Sequence, residues 1–180
     1  MKMRITSLVV VLLCTANSFA QDKKTITKIT EFLKKREIEL VKKYGSSPEY
    51  EKEQRGKRKF ILREIDLNND KKKDYFVFFN NSCGNGGCDA LILDSNLKIK
   101  GDFSLVETPV IAKAKIVNGW KVLNISSTGM REVIFNKQKK AYPEEGIANL
   151  KFIRYKKEKG DEIIIEQPKS TWKEMKSYLY

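Results

Sequence analysis

Between residues 25 and 44 the apolar positions Ile26, Ile29, Phe32, Leu33, Leu40, Val41 and Tyr44 recur at three- and four-residue steps with lysines between them. That period lines one face of an α-helix, and it predicts an amphipathic helix over residues 25–44. Lys42 and Lys43 suit the negative end of its macrodipole, and Gly45-Ser-Ser-Pro48 cannot continue it. After a charged connector, residues 51–58, the period shortens to two. Residues 60–65, 75–79, 90–93, 97–99, 110–117, 120–125, 131–135, 150–155 and 162–166 are short, alternating or wholly apolar, and rich in Ile, Val, Phe and Tyr. Turn signals part them, among them Asn-Asn-Asp, Gly-Asn-Gly-Gly, Asp-Ser-Asn, Asn-Gly and Lys-Gly-Asp. Links this short join antiparallel neighbours, because parallel pairs need crossover helices and none is visible between residues 60 and 166. Near the end of the chain Thr171-Trp-Lys-Glu174 has the form of a capping box, and Trp172, Met175 and Leu179 share one helical face. The expected fold is α+β: an N-terminal amphipathic helix, an antiparallel meander of about eight strands and a short C-terminal helix.

Residues 1–20 stand apart from this pattern. A basic start, Met1-Lys-Met-Arg4, precedes an apolar run over residues 8–13, and Ser18-Phe-Ala20 carries small residues where a signal peptidase cuts. Cleavage near Ala20 is expected, placing the protein in the periplasm or outside the cell. No segment has the roughly 20 apolar residues of a transmembrane helix, and Cys14 follows Leu13 rather than the small residue a lipidated cysteine needs. The remaining chain divides into residues 21–58, helix and connector, and residues 59–180, the β-rich part, expected to form one globular domain.

Composition narrows the chemistry. The chain has 180 residues, 36 Lys plus Arg against 23 Asp plus Glu, and no His. Without His there is no Ser-His or Cys-His nucleophile pair, no imidazole metal ligand and no ordinary general base near neutral pH. Paired carboxylates could still act on glycans, with Glu132, Glu144, Glu145 and Asp161 as the available acids and Ser126-Ser-Thr128 as hydroxyls, but no spacing pairs any of them. No catalytic residue is assigned. Loss of residues 1–20 removes two bases and no acid, leaving a formal charge of +11, a field that attracts anionic lipids, polymers or acidic proteins. Only seven of the 36 bases are Arg, the fork that phosphate and base readers favour, so nucleic acid is a poor candidate. The lysines come as scattered pairs, as a lysine-rich codon bias would also produce.

Two segments carry specific chemistry. Asp66, Asn68, Asp70 and Asp74 stand at positions 1, 3, 5 and 9 of a loop, with the Lys72 carbonyl at position 7. This is the spacing by which an EF-hand-type loop wraps Ca2+. Position 6, where that turn wants Gly, is Lys71, and position 12, where a bidentate Glu belongs, is Val77. A polar turn whose Asp and Asn side chains bond their own backbone fits the same residues, and the two readings stand side by side. Downstream, Cys83 and Cys88 flank Gly84, Asn85, Gly86 and Gly87. In an exported chain they read as a disulfide stapling a hairpin tip between the strands at 75–79 and 90–93. A zinc site would need two more N or S ligands, and the chain has no His and no other Cys after residue 20.

The string Asp66-Leu-Asn-Asn-Asp-Lys-Lys-Lys-Asp-Tyr75-Phe-Val followed by Cys83-Gly-Asn-Gly-Gly-Cys88, with Asn118-Gly-Trp120-Lys, Phe135-Asn-Lys and Ala141-Tyr-Pro143 beyond it, resembles small exported proteins of Gram-negative bacteria that join such a loop to a C-G-x-G-G-C hairpin. The resemblance implies a periplasmic or secreted binding protein. The loop is also similar to the calcium loops of dockerins and of integrin-type propeller repeats, which carry it in several copies.

The expected function is therefore binding. The favoured form is an exported, non-enzymatic protein that occupies an envelope protein such as a cell-wall hydrolase, as inhibitors and immunity proteins do, with Gly84 to Gly87 and Trp120 touching the partner. A basic binder of anionic polymers or lipids, and a calcium-assisted enzyme acting on glycans, are the alternatives.

Overall fold

The structure, a computed structural model, describes residues 6–45, 57–143, 147–166 and 176–180, with the helix side chains described from residue 23. The chain divides into two compact units, Met1–Arg55 with Tyr180, and Gly56–Leu179.

Among its described residues the first unit holds one helix, α1 (Thr6–Tyr44). It includes the expected residues 25–44 and also runs back through the segment read as an export signal. Ile29 and Leu33 are buried, and Ile26, Leu40 and Val41 are half-buried along the same stripe. Gly45 ends the helix with φ +75°, and its amide reaches the Val41 carbonyl at 2.8 Å, a left-handed C-cap that glycine enters without strain.

The second unit is built on antiparallel strands: β1 (Lys59–Ile65), β2 (Asp74–Gly84), β3 (Gly87–Leu93), β4 (Ile99–Val117), β5 (Trp120–Ser126), β6 (Met130–Val133), β7 (Glu162–Ile165) and β8 (Ser177–Leu179). Their order is β6-β5-β4-β3-β2-β1-β8, with β7 on β4. The long β4 joins two halves of the sheet. Residues 99–106 pair with β3, and residues 107–117 pair with β5 and β7.

The sheet bends across its own core. The Lys121 amide at the start of β5 donates to the Leu67 carbonyl after β1 at 2.7 Å, and the Tyr142 amide donates to the Lys100 carbonyl on β4 at 2.6 Å. One continuous apolar cluster fills the bend, from Ile61, Phe76 and Phe78 through Phe103 to Leu123, Val133 and Ile165. Apolar burial on this scale is the main drive for folding. Trp120 and Phe135 stack with ring centres 4.7 Å apart, and Tyr142 meets both edge-on.

The α+β expectation is corrected: the fold is mainly antiparallel β with a single α-helix and one short 3-10 turn, Ile147–Asn149, among the described residues. The C-terminal helix is absent where the chain is described. Residues 171–175, with the capping box, lie outside the described residues, but Ser177–Leu179 is a strand paired with Lys59–Ile61, and Leu179 is exposed rather than on a buried helical face. A helix this short is marginal alone, whereas the open edge of β1 supplies backbone partners for one side of the strand and Phe60 receives the Tyr178 ring at 5.4 Å.

The expected strand 110–117 is the second half of β4, whereas of the expected 97–99 only Ile99 enters it, Leu97 and Lys98 belonging to the turn held by Asp94. Residues 100–109, which the sequence assigns to no element, continue the strand: Gly101, Phe103 and Val106 are buried and the left-handed Leu105 supplies a bulge. The expected strand at 150–155 is reduced to one bridge, Arg131 to Phe152, along the edge of β6.

Candidate functional site

The expected site residues fall at two opposite ends of the β unit. Tyr75 pairs with Leu93 at one end, and Gly84 pairs with Gly87 at the other, with the seven residues of β3 between them. That separation is about 20 Å.

At the hairpin end Cys83 and Cys88 form a disulfide. β2 and β3 turn over through Asn85 and Gly86, and Cys83, Gly84 and Asn85 are exposed while Gly87 and Cys88 are buried. Three residues of β2 bulge between Phe79 and Cys83. One of them, Asn81, holds the start of β1, accepting from the Lys59 amide at 3.0 Å and donating to the Lys57 carbonyl at 2.9 Å. Gly87 has φ +123°, and a Cβ there would lie 2.6 Å from the Leu105 carbonyl carbon and 2.7 Å from the Val106 oxygen. Only glycine lets β3 approach β4 this closely. The tip is thus fixed twice, by the disulfide and by this backbone contact. Beside Gly86 stands Leu105, 44% exposed at φ +60°, which carries no motif or turn signal in the sequence and lies between two expected strands.

Trp120, grouped with the tip in the sequence reading, is at the other end. It is half-buried in the aromatic stack with Phe135 and Tyr142 beside Lys121, so the structure does not bring it to Gly84 through Gly87.

At that second end lies the acidic loop, closed by pairing of Ile65 with Asp74. Its backbone is organised by its own side chains. Asp66 Oδ2 accepts from the Lys71 amide at 3.0 Å, Asn68 Oδ1 from the Asp70 amide at 3.1 Å, and Asp70 Oδ1 from the Lys72 amide at 2.8 Å. Lys71 has φ +65°, so the chain makes the left-handed turn that the missing glycine would have eased. Asp74 is 1% exposed and accepts from the Leu67 amide at 2.9 Å. Burial pushes its carboxyl up to about 6; the Leu67 bond opposes this, and the charges of Asp70, Asp66 and Asp94 reinforce it. Asp94 comes from the turn after β3 and was read in the sequence only as a turn residue. Tyr142, whose hydroxyl donates to the Lys121 carbonyl at 2.7 Å, is raised by burial and by the Asp74 charge.

The donor set of this loop, three carboxylates, an amide oxygen and the Lys72 carbonyl, suits a hard cation such as Ca2+. Asp66 Oδ1 is buried and has no hydrogen-bond partner, as an oxygen reserved for a ligand would be. Against this, Asn68 Nδ2 bonds Asp70 Oδ2 at 3.1 Å, and among the described residues no three Asp, Glu or Cys side chains are gathered closely enough to enclose an ion.

The remaining candidates do not assemble. Asp161 is held in a structural network with Lys113 Nζ at 2.6 Å, and Glu158 lies 2.9 Å from the same ammonium. Burial alone would raise the Asp161 carboxyl, but Lys113 and the amides of Glu158 and Ala114 outweigh it and hold it below the usual carboxylate range. Glu132 is half-buried on β6, and Ser126 Oγ donates to Glu107 Oε2 at 3.5 Å. Glu144, Glu145 and Trp172 lie outside the described residues. Comparison with protein families, curated proteins and solved structures found no match to this chain.

Proposed function

We propose that this chain is an exported, non-enzymatic binding protein of the bacterial envelope that occupies a protein partner, such as a cell-wall hydrolase, through the tip of the β2–β3 hairpin. The observation that carries this reading is the double fixation of an exposed tip, by the Cys83–Cys88 disulfide and by the Gly87 contact with β4. A rigid tip loses little conformational entropy on insertion, which is how small inhibitors achieve tight binding. Leu105 beside it offers an apolar anchor, and the charge of +11 left after removal of residues 1–20 favours an acidic partner face. Export is supported by the signal-like residues 1–20, with cleavage near Ala20.

The test is capture from envelope extracts by the purified protein at low and high salt, with an Asn85→Trp variant alongside. One protein retained at high salt in fixed stoichiometry, and lost with the bulky tip, supports the reading. Recovery that is only salt-labile, or that Asn85→Trp leaves unchanged, overturns it.

Calcium in the 66–74 loop is a second element of the proposal, with Asp66, Asn68, Asp70, Asp74 and the Lys72 carbonyl as its ligands. The left-handed Lys71 and the unpartnered Asp66 Oδ1 favour it. Such an ion would brace the loop end, and no chemical step is assigned to it.

A further inference from the structure

We infer that the loop end of the β unit is a docking face for a linear phosphate-bearing polyanion. Lysines that look scattered along the chain are collected there by the topology. Lys71, Lys72 and Lys73 follow Asp70 in the β1–β2 loop. Lys98 closes the β3–β4 turn, whose Asp94 Oδ1 accepts from the Asn96 and Lys98 amides. Lys137, Lys139 and Lys140 occupy the turn held by Asn136 Oδ1. These turns share one end because Ile65 pairs with Asp74, Leu93 pairs with both Tyr75 and Ile99, and the Tyr142 amide ties the 136–141 turn to Lys100.

All seven side chains are exposed, and among the described residues none of the seven is in an ion pair. The same three turns expose a single acid, Asp70; Asp66 and Asp94 are half-buried and Asp74 is buried. The excess positive charge therefore faces solvent while most of the negative charge is turned inward, and such a face concentrates anions.

The form of the charge argues for the occupant. Lysine ammonium groups on flexible stems act as point charges without the bidentate geometry of Arg, so separate turns suit a repeating anion better than one fixed phosphate. The exposed large apolar side chains near these turns, Ile99, Ile116 and Ile134, are isolated aliphatic residues, too few to insert into a bilayer. A polymer bound here leaves the hairpin tip about 20 Å away unobstructed.

The probe is linear polyphosphate, titrated by calorimetry into the full chain with chelator present, at two salt concentrations. In one variant Lys71, Lys72, Lys73, Lys137, Lys139 and Lys140 are changed to Gln. A second variant changes six lysines of α1 (Lys23, Lys24, Lys28, Lys34, Lys35 and Lys42) to Gln and so carries the same net charge. Variants with each loop triplet alone guard against a misfolded sixfold variant. The expected result is a loss of about tenfold or more in affinity and a shallower salt dependence for the loop variant, with smaller losses for each triplet and less than about threefold for the helix variant. Equal losses in the two sixfold variants would reduce the effect to net charge and overturn the proposal. So would an absence of polyphosphate binding, including the case where anionic lipid vesicles alone are bound.

Discussion

The amide of Leu67 donates to the carboxylate of Asp74 at 2.9 Å, inside a loop whose other carboxylates lie near enough to oppose the same charge. Burial raises the folded pKa of Asp74 to about 6, above the unfolded value of about 3.9. The ionised group therefore costs stability above pH about 6, and the cost fades as pH falls through 6 toward 4. In chelator, Asp74→Asn should be more stable than the unaltered chain at pH 8, by on the order of 2 kcal/mol, with the difference gone at pH 4. Urea unfolding at the two pH values measures it. A variant that is less stable at pH 8 would mean that the Leu67 bond outweighs burial.

Calcium should reverse that ranking. A site in the 10⁻⁴ to 10⁻³ M class raises the melting temperature by a few degrees at about 10 mM calcium, by mass action on the folded state. Asp66→Asn should abolish the rise, since it weakens both the oxygen that organises the turn and the one left without a partner. Lys71→Gly relieves a left-handed residue and removes a charge beside the ligands, so it should tighten calcium binding and leave the fold equal or about 1 kcal/mol more stable. A melting temperature indifferent to calcium would leave the polar-turn reading in possession of the loop.

Gly87 and Gly84 face each other across the hairpin yet differ sharply in what a methyl group would meet. At Gly87 it strikes the backbone of Leu105 and Val106, whereas at Gly84 nothing lies within 4 Å. Gly87→Ala should cost more than about 2 kcal/mol in thermal or urea unfolding, and Gly84→Ala less than about 0.5 kcal/mol. Cys83→Ser with Cys88→Ser should cost about 2 kcal/mol, the loop-closure value for a ring this small. Equal effects at the two glycines would show that β3 and β4 are not held at this distance.

Lys113 and Asp161 bracket a plateau of stability in pH. The Asp161 carboxyl lies below its ordinary range, so its contribution is present above pH about 4 and is lost as pH falls through the folded value. For Lys113, burial lowers the pKa but Asp161 and Glu158 outweigh it, so its contribution is present below pH about 10 and is lost as pH rises beyond the raised value. Asp161→Asn should cost about 2–3 kcal/mol at pH 7, because it leaves the exposed Glu158 as the one carboxylate paired with Lys113 among the described residues, and the penalty should shrink below pH 4. A constant penalty down to pH 3 would assign the effect to packing alone.

What the sequence determined by itself is local. The stripe through Ile29 and Leu33, the left-handed Gly45 that ends α1, the strand periods of β1, β2, β3 and β5, and the stapled hairpin follow from spacing, turn chemistry and a ring of few residues. The Asp66, Asn68 and Asp70 side chains of the 66–74 loop were equally legible, since each bonds an amide within five residues. Tertiary structure decided what depends on distant partners. It joined residues 99–117 into one strand, because β3, β5 and β7 each supply a ladder to a stretch whose own glycine, bulge and proline look like breaks. It made 177–179 a strand because an open edge of β1 outweighs a weak helical signal. It sent Trp120 to the end opposite the hairpin and gathered lysines from three turns onto one face, since the β4–β5 bend brings Lys121 against Leu67, and no spacing along the chain encodes that contact.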